Sequence, residues 1–248
     1  MVNLEKYFEQ FRQEIIGEEF EFISPYGLQK IHYADWIASG RLYGPIEDRM
    51  RYDIAPYIGN THTETTESGT LMTKAYQYAH KKIKEHVNAG ENDVIITAGS
   101  GMTGVINKFQ RILGLKSYCK TRDCMFIAPE DVPVVFVTHM EHHSNHTSWL
   151  ETVAEVVLVK PDDENRVDPE NLRLELEKHK NRRIKYGAFT ACSNVTGVAP
   201  DYYELAKIMH EYDGYVFLDF AGSAPYVDID MHPEDPSKRI DAVMFSPH

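Results

Sequence analysis

Cysteine is scarce: the chain has three, Cys119, Cys124 and Cys192, an odd number at spacings that suit neither a disulfide framework nor a paired metal site. A reducing compartment is expected, with the three acting as small buried hydrophobes. No apolar run approaches the ~20 residues that a membrane-spanning helix needs. The N-terminus, Met-Val-Asn-Leu-Glu-Lys-Tyr-Phe, has neither the basic stretch nor the apolar stretch of a signal peptide. Positive charge is in deficit, with 26 Lys and Arg against 38 Asp and Glu and a net charge of −12. That balance argues against nucleic acid or an anionic membrane as the main partner, and a cytoplasmic protein is the default. Internal repeats and low-complexity segments are also missing.

What is present is an ordinary globular composition, 42% hydrophobic and 26% charged over 248 residues, enough for a sizeable core. Residues 3–16 read as an amphipathic helix with Leu4, Phe8, Phe11, Ile15 and Ile16 on one face. Residues 17–67 read as irregular, and a long helix follows from Ser68 to Val87, stopped by Asn88-Ala89-Gly90. Apolar runs at 94–97, 134–138, 155–159, 184–190, 215–220 and 242–245 then alternate with helical patterns at 102–113, 168–180 and 200–212. Short apolar strands alternating with helices predict an α/β fold, a mostly parallel sheet with helices on both faces. In such a sheet ligands bind at the carboxyl ends of the strands, so the polar residues just after each strand are the candidates.

After the first run, Gly99-Ser100-Gly101-Met102-Thr103-Gly104 opens a helix. Small residues and free helix N–H groups there suit an anion, although a plain tight turn reads equally well. The second strand runs into Thr138-His139-Met140-Glu141-His142-His143-Ser144-Asn145-His146. That stretch reads as a metal cluster, as one imidazole lying on an aromatic ligand, or as a polar loop; it matches no zinc-hydrolase spacing. Asn194, after the fourth strand, can bond a phenolic oxygen or close an Asx turn. Asp219 ends the apolar run Tyr215–Asp219 and needs a cation, a hydrogen-bond donor or a metal to be buried. A protonated pyridine nitrogen meets that need, and Ala221-Gly222-Ser223-Ala224 leaves room for a flat ring. Ser246 and His248, after the last run, can share a phosphate with the glycine loop.

In order, Tyr33-Ala34-Asp35, Gly101–Asn107, Glu141–Asn145 with Trp149, Ser193–Gly197, Leu218–Ala221 and Ser246-Pro247-His248 resemble the class V aminotransferases, the group of cysteine desulfurases and selenocysteine lyases. The resemblance covers about residues 30 to 248. It implies the large domain of a pyridoxal phosphate-dependent transferase of fold type I over 31–248, preceded by an N-terminal helix and arm over 1–30. Gly101, Met102 and Thr103 would hold the phosphate of pyridoxal 5'-phosphate, with Ser246 and His248 completing the site. His142 would stack on the ring and relay protons, Ala221 would pack on the other face, Asn194 would bond the ring hydroxyl, and Asp219 would pair with the ring nitrogen. No metal is implied. The family generally forms homodimers acting on amino acids, which places Asn60 and His62 as candidate substrate residues. It also places a Schiff-base lysine directly after His248, then a strand between the first and last runs, and a small C-terminal domain. This chain would therefore be an inactive or weakly cofactor-binding portion of a longer enzyme. Gly222 stands where the family usually has a glutamine, which weakens a strict desulfurase reading. Two alternatives are a metal-dependent hydrolase built on the His139–His146 cluster with Asp219, and a non-catalytic binding module.

Overall fold

A computed structural model describes residues 3–99, 101–117 and 126–247. The chain divides into two compact units, the first running to Lys82 and the second from Ile83 to Pro247.

The first unit begins with α1 (Leu4–Gln13), which Asn3 caps by accepting the Lys6 N–H at 3.3 Å. The segment expected to be irregular is more ordered than that. An antiparallel hairpin, β1 (Glu21–Ser24) and β2 (Gly27–Lys30), turns on Pro25-Tyr26, and a short helix, α2 (Gly44–Arg49), follows. Four-residue strands with mostly exposed side chains leave too weak an alternation to read from sequence. The long helix α3 (Glu67–His86) carries the boundary between the units.

The second unit holds α4 (Gly101–Ile112), β3 (Val134–Thr138), α5 (His143–Leu150), β4 (Glu155–Val159), α6 (Pro169–Lys178), β5 (Lys185–Thr190), α7 (Tyr202–Glu211), β6 (Tyr215–Asp219) and β7 (Ala242–Met244). Among the described residues its five strands form one parallel sheet in the order β4-β3-β5-β6-β7. β3 is buried along its whole length, so its side chains feed two cores. Phe136, with Phe189 and Leu218, packs against Leu172, Leu176, Leu205 and Met209 of α6 and α7. Val135 and Val137, with Ala188 and Phe217, face Ile106 of α4 and Trp149 of α5. The period of two in the strands and the two helix pairs therefore account for both apolar layers.

Two expectations change. Residues 94–97 do not form a strand, because no strand among the described residues pairs with them, and Val94 and Ile96 stay exposed. A groove of about 310 Å³ lies between this segment and the free edge of β7, lined by Val87, Ile95, Val105, Val243 and Phe245 among others. The eight-residue helix α5 was not expected, since its sequence, HSNHTSWL, is polar apart from its last two residues. No helix among the described residues is long and apolar enough to cross a membrane.

Candidate functional site

The strand order sets the location. The chain steps from β3 outward to β4, then crosses back to the other side of β3 to form β5. At such a reversal the loops leave adjacent strand ends in opposite directions and open a crevice at the carboxyl ends. The residues after β3, β5, β6 and β7 meet there.

At the anion end, Gly101 opens α4 with φ +67°, a conformation that side chains resist. A Cβ built on it would lie 3.9 Å from the Ser246 Oγ, an ordinary contact, so the helix N-terminus and the end of β7 lie close and it is the backbone angle that favours glycine. Met102 is buried and holds the first turn of α4, while Thr103 is exposed. Gly101 and Ser246 are thus brought together, with Met102 and Thr103 next along α4; His248 lies outside the described residues.

At the opposite side, Asp219 ends β6 with only 4% of its surface exposed. Its Oδ1 accepts the Ala221 N–H at 2.9 Å, which draws the turn after β6 back over the strand end. No cationic side chain among the described residues forms an ion pair with it. Burial therefore pushes its pKa up, partly offset by the Ala221 N–H.

His142 is the N-cap of α5. Its Nδ1 accepts the Ser144 N–H at 3.2 Å and lies 2.8 Å from the Ser144 Oγ. A ring nitrogen that accepts carries no proton, so the capping bond puts the ring hydrogen on Nε2, the nitrogen the cap leaves unused. Sequence reasoning found this histidine but not the serine that sets its tautomer.

The remaining expectations resolve individually. The turn after β5 is closed by Ser193, whose Oγ accepts the Val195 and Thr196 N–H groups at 3.2 and 3.3 Å. Asn194 takes no part in those bonds and is exposed on the turn, so the Asx turn weighed for it does not form. Ala221 sits beside Asp219 through the same turn. Asn60 and His62 belong to the first unit, where His62 has φ +63° and its N–H donates to the Thr73 Oγ1 at 3.0 Å.

The metal reading is corrected: no group of three His, Cys, Asp or Glu side chains among the described residues is placed to hold an ion. The His139 Nε2 is engaged with the Asn165 carbonyl at 3.0 Å, and Glu141 is held by Thr138 and Asn145. Cys192 is half-buried rather than buried, and its Sγ lies 3.3 Å from the Gly197 carbonyl. Cys119 and Cys124 lie outside the described residues.

The family model for class-V aminotransferases matches residues 32–248. The chain belongs to the class-V aminotransferase family. A cysteine desulfurase from Haloferax volcanii is 28% identical over 198 residues, which cover 77% of this chain and 42% of the relative. An aminotransferase-like protein from Gibberella zeae is 26% identical over 209 residues, covering 80% of this chain and 47% of the relative. Among solved structures, the apo cysteine desulfurase from Thermococcus onnurineus NA1 superposes with a TM-score of 0.71 at 18% identity, over 96% of this chain and 52% of that one. The chain thus spans about half the length, or less, of the class-V proteins it matches. The superposition shows that the chain shares its fold with part of that structure.

Proposed function

We propose that this chain forms the pyridoxal 5'-phosphate-binding part of an enzyme that acts on an amino acid, by transamination or by desulfurase- or lyase-type chemistry. The reading is supported by family membership and carried by one observation: Asp219 is buried without an ion pair among the described residues, near the His142 imidazole. A donor set of this kind fits the cofactor. A buried carboxylate lacking a cation suits a protonated ring nitrogen, and the N-terminus of α4 at Gly101 lies near the Ser246 hydroxyl, which suits an anion.

In this reading the N–H groups of Gly101, Met102 and Thr103, with the Thr103 and Ser246 hydroxyls and His248, hold the phosphate. Asp219 holds the ring nitrogen and keeps it cationic, Asn194 bonds the ring hydroxyl, and His142 and Ala221 bound the two faces. Bound pyridoxal phosphate supplies an electron-withdrawing ring that stabilises negative charge at a substrate carbon. His142 keeps its proton at Nε2, where it can be passed to or taken from a group above the ring. Asn60 and His62 are proposed to contact substrate, and the whole enzyme is proposed to work as a homodimer.

Titrating purified chain with pyridoxal 5'-phosphate, followed by absorbance and near-ultraviolet circular dichroism, tests the reading. Saturable binding is expected, and Asp219→Asn should weaken it at least about tenfold, the loss of one charge-assisted hydrogen bond. Absence of binding by the unmodified chain, or equal affinity in the variant, refutes it.

A further inference from the structure

One buried carboxylate in the crevice has no part in holding phosphate, ring or ring nitrogen: Glu141. Its two oxygens point to different elements. Oε1 accepts from the Thr138 Oγ1 at 2.7 Å and from the Thr138 N–H at 3.3 Å, at the end of β3. Oε2 accepts from the Asn145 Nδ2 at 2.7 Å, in the first turn of α5. The bridge continues inward, because the Asn145 Oδ1 accepts the Trp149 Nε1–H at 3.2 Å and both residues are fully buried. His142 lies between the two anchors of this bridge.

We propose that Glu141 is a positioning residue: its carboxyl ties the end of β3 to the first turn of α5, and so fixes the His142 imidazole beside Asp219. The inference deepens the proposed cofactor site and rests on that reading for its purpose, though not for its geometry.

The second support for α5 shows why the tie matters. The Ser148 Oγ–H donates to the Ser144 carbonyl at 2.5 Å and accepts from the buried Gln110 of α4 at 2.8 Å. Those bonds hold the far side of the first turn of α5. Glu141 alone links the near side to the sheet among the hydrogen bonds of the described residues. Without it, Asn145 and Thr138 each keep a buried donor with no acceptor, and the turn bearing His142 is free to shift.

The bridge also responds to protonation. Part of the residue remains in contact with solvent, but burial of the carboxyl pushes its pKa up to about 7, against the donors of Thr138, Thr190 and Asn145; Asp219 adds to the rise. Asp219 is the titratable group among the described residues that acts on it. Protonation turns one acceptor oxygen into a donor, which changes the bond to Asn145 and, through it, the bond to Trp149.

Isotope-labelled chain tests the inference by nuclear magnetic resonance. The Trp149 indole N–H, distinguishable from Trp36, should show an inflection near pH 7 that Glu141→Gln abolishes and His142→Ala retains. The His142 ring nitrogens should report Nε2–H in the unmodified chain and in Glu141→Gln, and a mixture of tautomers in Glu141→Ala. Affinity for pyridoxal 5'-phosphate should fall about tenfold in Glu141→Ala and within about threefold in Glu141→Gln. Failure of the unmodified chain to bind the cofactor defeats the proposed function, while the ring shifts and the Trp149 profile still decide the role of Glu141. Unchanged His142 ring shifts in Glu141→Ala overturn it. Should that variant not fold, a Trp149 inflection that persists in Glu141→Gln overturns it equally.

Discussion

Replacing Asp241 by Asn probes a part of the second unit beside the start of β6. The His210 imidazole sits between two acceptors: Nδ1 lies 2.7 Å from the Ser237 carbonyl and Nε2 lies 2.9 Å from the Asp241 Oδ2. Both nitrogens must donate to satisfy both contacts, so the imidazolium is the form that fits. The hydrogen bond with Asp241 raises the His210 pKa above its ordinary value, burial opposes the rise, and the Ser237 carbonyl adds to it. The His210 and Asp241 side chains are only 8% and 15% exposed, so solvent screens the pair weakly. Because the folded-state pKa is raised, the contribution to stability is complete below the unfolded value of about 6.5. It is lost as pH rises through the folded value.

An amide at position 241 still accepts the Val216 N–H, which now reaches the Asp241 Oδ2 at 2.8 Å, but it offers His210 no anion. A hydrogen bond involving a charged group contributes about 1.5–3 kcal/mol, so Asp241→Asn should cost about 2 kcal/mol at pH 5.5. The cost should shrink toward a neutral hydrogen bond, about 1 kcal/mol, well above neutral pH. Urea unfolding followed by far-ultraviolet circular dichroism at several pH values measures it. A cost that is constant, or that grows as pH rises, refutes the assignment of His210 as an imidazolium.

Other substitutions separate packing from backbone effects. Leu176→Ala removes a fully buried side chain from the core between α6 and the sheet, and should cost about 2–5 kcal/mol in the same unfolding measurement. Gly197→Ala should cost about 1 kcal/mol although nothing lies within 4 Å of the added carbon, because its φ of +71° strains any side-chain-bearing residue. A neutral outcome at Gly197 would show that the turn after β5 relaxes.

The parallel sheet was legible because its strands are buried on both faces. The runs at 134–138, 155–159 and 215–220 read as strands and fold as β3, β4 and β6 with at most one residue of difference. The run at 94–97 has the same composition and does not pair, so composition reports a preference to be buried and not the presence of a neighbour. Helix α5 was missed for the opposite reason. Its burial is carried by Asn145, Ser148 and Trp149, two of them polar, so no apolar stripe marks it. The spacing of Asn145 and Trp149, four apart on one helix face, was the signal available, and it becomes readable only once a helix is assumed.

The candidate site divides along the same line. Asp219 could be found from sequence, since a carboxylate closing an apolar strand is costly wherever it lies unless something compensates it. Glu141 could not, because it stands in a polar stretch with four histidines that reads as a metal cluster, as a loop or as a single imidazole on a ligand. What separates these readings is the direction of each polar side chain. His139 turns away to the loop at Asn165, His142 caps α5, and Glu141 turns inward to Thr138 and Asn145. One residue of the cluster is therefore spent on the scaffold so that its neighbour can be held at the crevice. The two buried carboxylates serve different ends: Asp219 has no cation among the described residues, whereas Glu141 already has its donors. A ligand that brings positive charge to the crevice would gain most at Asp219 and would leave the Glu141 bridge intact.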